Sequence, residues 1–349
     1  SLPIAIESYA ARGPHGVGVT TIELVDTTRP TAANGDFAGA PERRMLVEIW
    51  YPAASGAASP EERDAALDGG PYPLIVFAHG FSSIRTQSAT YTRHLASHGY
   101  IVASPDFPGS YGGAGGGPRL RAVIDQPSDV SFIIDELLLR NDEPDGLFAR
   151  AIDPERIGMT GHSLGGLTTL MATYGPLRDD RIVAALPISP PGCFFEADAF
   201  VGITTPLMVL GGSEELIVDP TSIRKAYDLA NAPRYFVELA GADHIKFGDI
   251  DLNDADIGGA DAVTRVAGDT LIPDAIAIAE SIGGSAASCV TREGPKGKAS
   301  ISGDRQRELL RLFGALFFDA YLRGSEGALA LLRGGGFASI APEAAVEFE

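Results

Sequence analysis

The sequence predicts an α/β fold: a mostly parallel, doubly wound sheet of about eight strands, with an antiparallel N-terminal edge and helices on both faces. Three observations predict it. Short apolar runs alternate with helical patterns from about residue 17 to residue 325. The middle runs are almost continuously apolar, as strands covered by helices on both faces must be. The first two runs alternate in polarity, as an antiparallel edge with one wet face does.

Strands are expected at 18–25, 45–51, 74–78, 101–104, 156–160, 184–188, 206–210 and 235–239. Helices are expected at 86–98, 127–139, 164–174, 221–230 and 305–323, with a short one near 274–282. In a doubly wound sheet the site lies at the carboxyl ends of the strands. The chain of 349 residues is read as one domain. Residues 53–70 form a surface loop, and the Gly-rich stretch 109–118 a flexible loop on the rim of the site. That stretch lacks the spacing and the Lys of a phosphate cradle. Residues 247–303 are an insertion or lid-like segment beside the site entrance, and residues 334–349 a short C-terminal extension on the surface.

Composition narrows the function. The net charge of −19 leaves no basic stripe to neutralise phosphates, so nucleic acid is excluded as a partner. No apolar stretch approaches the roughly 20 residues that span a bilayer. The chain opens Ser1-Leu2-Pro3 with no initiator Met, and a mature, secreted or periplasmic form whose signal peptide is gone is the expectation. The two cysteines, Cys193 and Cys289, fit one disulfide in an oxidising compartment and also fit two separate thiols.

The chemistry concentrates in Gly161-His162-Ser163-Leu164-Gly165, which follows a strand and opens a helix. Strand, G-x-S-x-G, helix is the pattern of a nucleophile elbow, with Ser163 presented on a sharp turn. A serine hydroxyl needs a base and an acid to orient that base, in the chain order Ser, acid, His. His244, in Gly241-Ala242-Asp243-His244 after the strand at 235–239, stands where that order puts the base. The acid should follow the strand at 206–210, where Glu214, Glu215 and Asp219 compete. Glu215 fits best, closing a turn begun at Gly212, whereas Asp219 precedes Pro220 at a helix start. The oxyanion hole needs two backbone N–H donors, expected from Leu164 and from Phe81 in His79-Gly80-Phe81. His94 and His98 lie one helical turn apart without a third ligand and read as a surface pair. Asp243 shapes its turn and Asp106 anchors a loop. The acidic run from Asp249 to Asp256 alternates like a calcium loop but has Asp254 where Gly is required, so solvated acids are the default and no metal or cofactor is expected.

With these residues placed, the chain resembles the α/β-hydrolase superfamily. Within it, the chain is similar to bacterial platelet-activating-factor acetylhydrolase-like and predicted dienelactone hydrolase sequences. The resemblance rests on Glu48-Ile49-Trp50-Tyr51-Pro52-Ala53, Phe77-Ala78-His79-Gly80-Phe81, the elbow through Gly166, Asp243-His244-Ile245-Lys246-Phe247-Gly248-Asp249 and Phe317-Phe318-Asp319-Ala320-Tyr321-Leu322. It implies a serine esterase acting on short acyl groups, with Ser163, His244 and an acid in the Glu214–Glu215 turn. The usual acid is Asp, so Glu215 is a departure. The chain also resembles, more distantly, secreted polyester hydrolases, though 164–169 lacks the aromatic those use to grip polymer. The expected substrate is a small-molecule ester or lipid-like ester, with a polyester or cutinase-like hydrolase as the alternative. A catalytically silent binding module on the same fold is the contrasting class.

Overall fold

A computed structural model describes residues 2–54, 61–249, 271–287, 289 and 300–349. The chain runs through α1 (Leu2–Ala10), β1 (Gly16–Asp26), β2 (Arg43–Ala53), β3 (Glu62–Arg63), β4 (Tyr72–Ala78), α2 (Ala89–Ser97), β5 (Ile101–Pro105) and α3 (Gln126–Asp142). It continues with β6 (Ile152–His162), α4 (Leu164–Thr173), β7 (Ile182–Ile188), β8 (Leu207–Gly212), α5 (Pro220–Leu229) and β9 (Arg234–Leu239). Three helices, Leu271–Ser281, Gly303–Tyr321 and Glu326–Gly334, precede β10 (Ala344–Phe348).

Among the described residues these strands form one sheet in the order β10-β9-β8-β7-β6-β4-β5-β2-β1-β3. The strands from β5 across to β9 are mutually parallel. β2 runs antiparallel to β5, and β1 pairs antiparallel with β2 from Gly16 opposite Ala53 to Asp26 opposite Arg43. The expected architecture and its antiparallel N-terminal edge are therefore present.

The period of two decides what covers each face. Ile75, Phe77, Leu186, Ile188, Met208 and Val237 pack with Tyr91 and Leu95 of α2 and with Phe313, Leu316, Phe317 and Phe318 of the late helix. The alternate residues Leu74, Val76 and Ala78 face Val130, Ile133 and Leu137 of α3. Ala185, Leu207 and Val209 face Leu167 and Leu170 of α4 and Ile223 of α5. Each such large apolar side chain, fully buried, stabilises the fold by about 1.5–3 kcal/mol.

The ends of the chain depart from expectation. The stretch expected as a surface extension ends in β10, an edge strand antiparallel to β9 with Ala344 opposite Leu239. Phe348 stacks on Tyr235, and Glu347 takes a two-pronged ion pair from Arg224 at 2.7 and 2.8 Å. The N-terminal helix α1 also changes the reading of His94 and His98. They are not a surface pair: His94 is 6% exposed, and its Nε2–H donates to the Tyr9 carbonyl at 2.8 Å while that of His98 donates to Ala11 at 2.9 Å. Both imidazoles thus satisfy carbonyls at the end of α1 that the helix leaves open.

The Gly-rich rim loop is tied down on both sides. Ser82 N–H donates to Ser110, Gly112 N–H to Ser83, and the Asn34 amide to the carbonyls of Gly115 and Gly117. A Cβ at Gly116 would lie 1.9 Å from the Asn34 oxygen, so glycine there permits backbone contact. Cys193 and Cys289 form a disulfide across 96 residues. The helix Leu271–Ser281 docks through buried Asp274, which accepts from Arg119 at 2.7 Å. Residues 250–270, 288 and 290–299 of the expected insertion lie outside the described residues, and so does the acidic run beyond Asp249. Asp249 itself accepts from the N–H and hydroxyl of Thr90. No helix among the described residues is long and apolar enough to cross a membrane.

Candidate active site

The segment from β6 to α4 forms a sharp elbow. Ser163 takes φ 56° and ψ −116°, a strained conformation for a residue with a side chain. Its N–H is held by the Ile188 carbonyl at 2.9 Å. A Cβ at Gly161 would lie 2.4 Å from the Gly165 oxygen, and one at Gly165 would lie 2.0 Å from the Ala78 oxygen. Both flanking positions must therefore be glycine for α4 to start this close to β4. Ser163 is half-buried, whereas its neighbours on both sides are buried.

Glu215 and His244 meet across the next two loops. His244 Nδ1 lies 2.5 Å from Glu215 Oε2, with both side chains almost wholly buried. The other carboxylate oxygen accepts from Ser189 Oγ–H and from Gly212 N–H at 3.2 Å. The competing acids are engaged elsewhere. Glu214 accepts from Ser213 Oγ at 3.1 Å, and Asp219 caps α5 by accepting Thr221 N–H at 2.8 Å. With Nδ1 committed to Glu215, Nε2 is the open nitrogen of His244, and it is buried without a hydrogen-bond partner among the described residues. Ser163 and His244 are thus not hydrogen-bonded to each other here. The ring of His162, adjacent to Ser163, lies 4.7 Å from the His244 ring. Such contacts often close only when substrate is bound.

Phe81 and Leu164 leave adjacent strands at the same level, because Ala78 of β4 is opposite Gly161 of β6. Leu164 opens α4, so its N–H has no acceptor within the helix. The turn at Gly80 is held by His79. The Phe107 N–H donates to His79 Nε2 at 3.1 Å, so Nδ1 carries the proton and donates to the Gly80 carbonyl at 2.7 Å. Burial drives the His79 pKa down and keeps this ring neutral. Ser83 N–H also donates to that carbonyl, whereas Phe81 N–H makes no hydrogen bond among the described residues. Phe81 and Leu164 share an apolar cluster with Leu120, Ile124, Phe194 and Ile217.

Sequence reasoning missed Ser189 and Gln87. Ser189 is fully buried at φ 45°, directly after β7, and is the residue that holds the Glu215 carboxylate. Its place one residue past a parallel strand was the available signal. Gln87 sits inside what reads as an ordinary helix start and binds both Gly80 and His162. Nothing in its local sequence marks it. Asp106 accepts from Arg85 N–H and from its guanidinium, and Asp243 accepts from the N–H groups of Ile245 and Lys246. Both hold loops.

The family model described as PET hydrolase-like matches residues 64–258, which include Ser163, Glu215 and His244. The chain belongs to the PET hydrolase-like family. Curated relatives of this PET hydrolase-like chain include cutinase est2 of Thermobifida alba, 25% identical over 181 residues, covering 50% of this chain and 53% of that protein. A bis(hydroxyethyl) terephthalate hydrolase of Streptomyces coelicolor is 24% identical over 241 residues, covering 67% and 62%. A putative carboxymethylenebutenolidase of Methylorubrum extorquens is 27% identical over 154 residues, covering 43% and 49%. The chain thus spans roughly half to three fifths of the length of these relatives. Among solved structures, a ferulic acid esterase from Streptomyces cinnamoneus superposes with a TM-score of 0.67 at 22% identity, over 97% of this chain and 98% of that one. That likeness establishes the α/β-hydrolase fold.

Proposed function

We propose that this PET hydrolase-like chain is a serine carboxylic ester hydrolase. The observation that carries the reading is the buried Glu215–His244 pair, its Nε2 left open, beside a strained Ser163. Ser163 Oγ attacks the ester carbonyl and His244 Nε2 takes its proton. Glu215 holds Nδ1–H and stabilises the imidazolium that forms. The N–H groups of Phe81 and Leu164 receive the developing oxyanion, each such donor lowering the barrier by about 3 kcal/mol. His244 then protonates the leaving alcohol, and water releases the acid by the reverse sequence.

The apolar cluster containing Phe81, Leu164 and Phe194 supports an ester with an apolar acyl part. A second reading, hydrolysis of polyesters, is favoured by the family match and by the cutinase and terephthalate-ester relatives. Soluble monomer released from a polyester film separates the two. The disulfide and the cutinase-like relatives support an extracellular or periplasmic location. A silent binding module would not need a paired His and Glu behind an elbow. Substitution Ser163→Ala is expected to abolish p-nitrophenyl acetate turnover and labelling by a fluorophosphonate. Turnover retained at the wild-type rate overturns the reading.

A further inference from the structure

A second buried chain of hydrogen bonds lies behind the candidate triad. Gly80 N–H donates to Gln87 Oε1 at 2.6 Å, Gln87 Nε2 lies 2.7 Å from His162 Nδ1, and His162 Nε2 lies 2.7 Å from the His244 carbonyl. Gln87, His162 and His244 are 6%, 5% and 2% exposed. Both ends of this chain are backbone groups with a single role, an N–H that donates and a C=O that accepts. Every proton between them is therefore fixed. Gln87 must turn its oxygen to Gly80 and its amide hydrogens to His162. His162 must accept at Nδ1 and donate from Nε2, which makes it the neutral Nε2–H tautomer. Burial, and the neighbouring His244 after it, drive its pKa well down, in agreement with a ring that never takes a second proton.

This chain joins three loops that leave three different strands: the turn after β4, the elbow after β6 and the loop after β9. A fourth bond, from Asp249 N–H to the Gln87 carbonyl at 2.8 Å, ties the same residue to the far side of the His244 loop. Phe247 closes the outside, its ring 6.0 Å from that of His162. The packing is tight enough that a Cβ at Gly80 would lie 3.3 Å from Gln87 Oε1 and 3.4 Å from His162 Nδ1.

We propose that Gln87 and His162 are positioning residues for ester hydrolysis, holding the Gly80–Phe81 turn and the main chain of His244 in register with Ser163. The inference rests on the Ser163–His244–Glu215 reading. Neither residue touches substrate. Both acylation and deacylation need the same base and the same oxyanion donors, so kcat reports the register whichever step is slower.

The test pairs Gln87→Met, which keeps the shape and removes both bonds, with Gln87→Glu. A carboxyl group still accepts from Gly80, and a single proton shared between it and His162 Nδ1 restores the second bond. With p-nitrophenyl acetate, Gln87→Met is expected to lower kcat about 10- to 100-fold, as a displacement of about 1 Å does, with KM within about threefold. Gln87→Glu is expected to recover most of that loss. Nitrogen-15 NMR of labelled histidine should show His162 as the neutral Nε2–H tautomer in the wild type. Wild-type kcat in Gln87→Met, or a wild-type His162 protonated at Nδ1, overturns the proposal. The NMR result decides it even if Gln87→Met fails to fold. Full activity in Ser163→Ala overturns the triad reading instead, whereas an inactive Ser163→Ala beside a fully active Gln87→Met overturns only this proposal.

Discussion

Substitution Glu215→Gln changes one atom and tests the acid directly. The carboxylate takes three donors: Ser189 Oγ–H and Gly212 N–H at one oxygen, and His244 Nδ1–H at the other. An amide has one accepting end. If its oxygen keeps the Gly212 N–H, its NH2 faces Nδ1, which must then accept, and the imidazole proton moves to Nε2. The nitrogen meant to take the serine proton is then already protonated. If the amide turns over, its NH2 faces the buried Gly212 N–H, leaving a donor unsatisfied at a cost of about 1–3 kcal/mol. The first orientation is therefore favoured. In neither one does a negative charge offset the imidazolium. The expected loss in kcat is about 10⁴-fold, the scale of an acid-to-amide change in such triads. That corresponds to about 5.5 kcal/mol of barrier. The substitution is isosteric, so KM and the unfolding temperature should move little. The assay is initial-rate hydrolysis of p-nitrophenyl acetate by the purified variant beside the wild type. A kcat within about tenfold of wild type would show that Glu215 does not set the His244 tautomer, and the chain of reasoning from Ser189 to Ser163 would fail.

The Cys193–Cys289 disulfide closes a loop with a sequence separation of 96. In the chain-entropy account a loop of about 100 residues is worth about 4.7 kcal/mol. At roughly 2.1 cal/mol/K of unfolding entropy per residue, the double substitution Cys193→Ser/Cys289→Ser should lower Tm by about 6 °C in calorimetry; an unchanged Tm refutes that estimate. His94 is expected to make stability fall with acid. Burial foremost, then His98, takes its pKa from the ordinary 6.5 to about 3 in the folded chain. The unfolded chain therefore takes up a proton that the folded one refuses, so stability is complete above about pH 6.5 and is lost as pH falls toward about 3. The slope of Tm between about pH 7 and pH 4 should be shallower in His94→Gln, and identical slopes would sink the assignment.

The positions of the strands were legible because the middle of the sheet is apolar on both sides. Leu74–Ala78 and Ala184–Ile188 match β4 and β7 to within two residues. The elbow was legible for a local reason: two glycines must flank a serine there, since any Cβ collides with a backbone oxygen. The terminal elements were not. α1 and β10 owe their form to partners: α1 to the late helix and the imidazoles of α2, and β10 to β9. The five residues of β10, four apolar and one acidic, carry too weak a pattern to be distinguished from a loop.

By itself, the order of residues determined the sheet, the serine on its bend and the histidine loop, because each depends on neighbours a few positions away. It favoured Glu215 over the adjacent Glu214 only through the turn that Gly212 begins. The contacts of that carboxylate come from Ser189 and His244, 26 and 29 residues away, one on each side of it. Gln87 gained its role in the same way, through a ring 75 residues further on. Side chains so far apart share an environment only once parallel strands bring their carboxyl ends together. Burial there holds the Glu215 carboxylate to the donors the fold supplies, Ser189, Gly212 and His244.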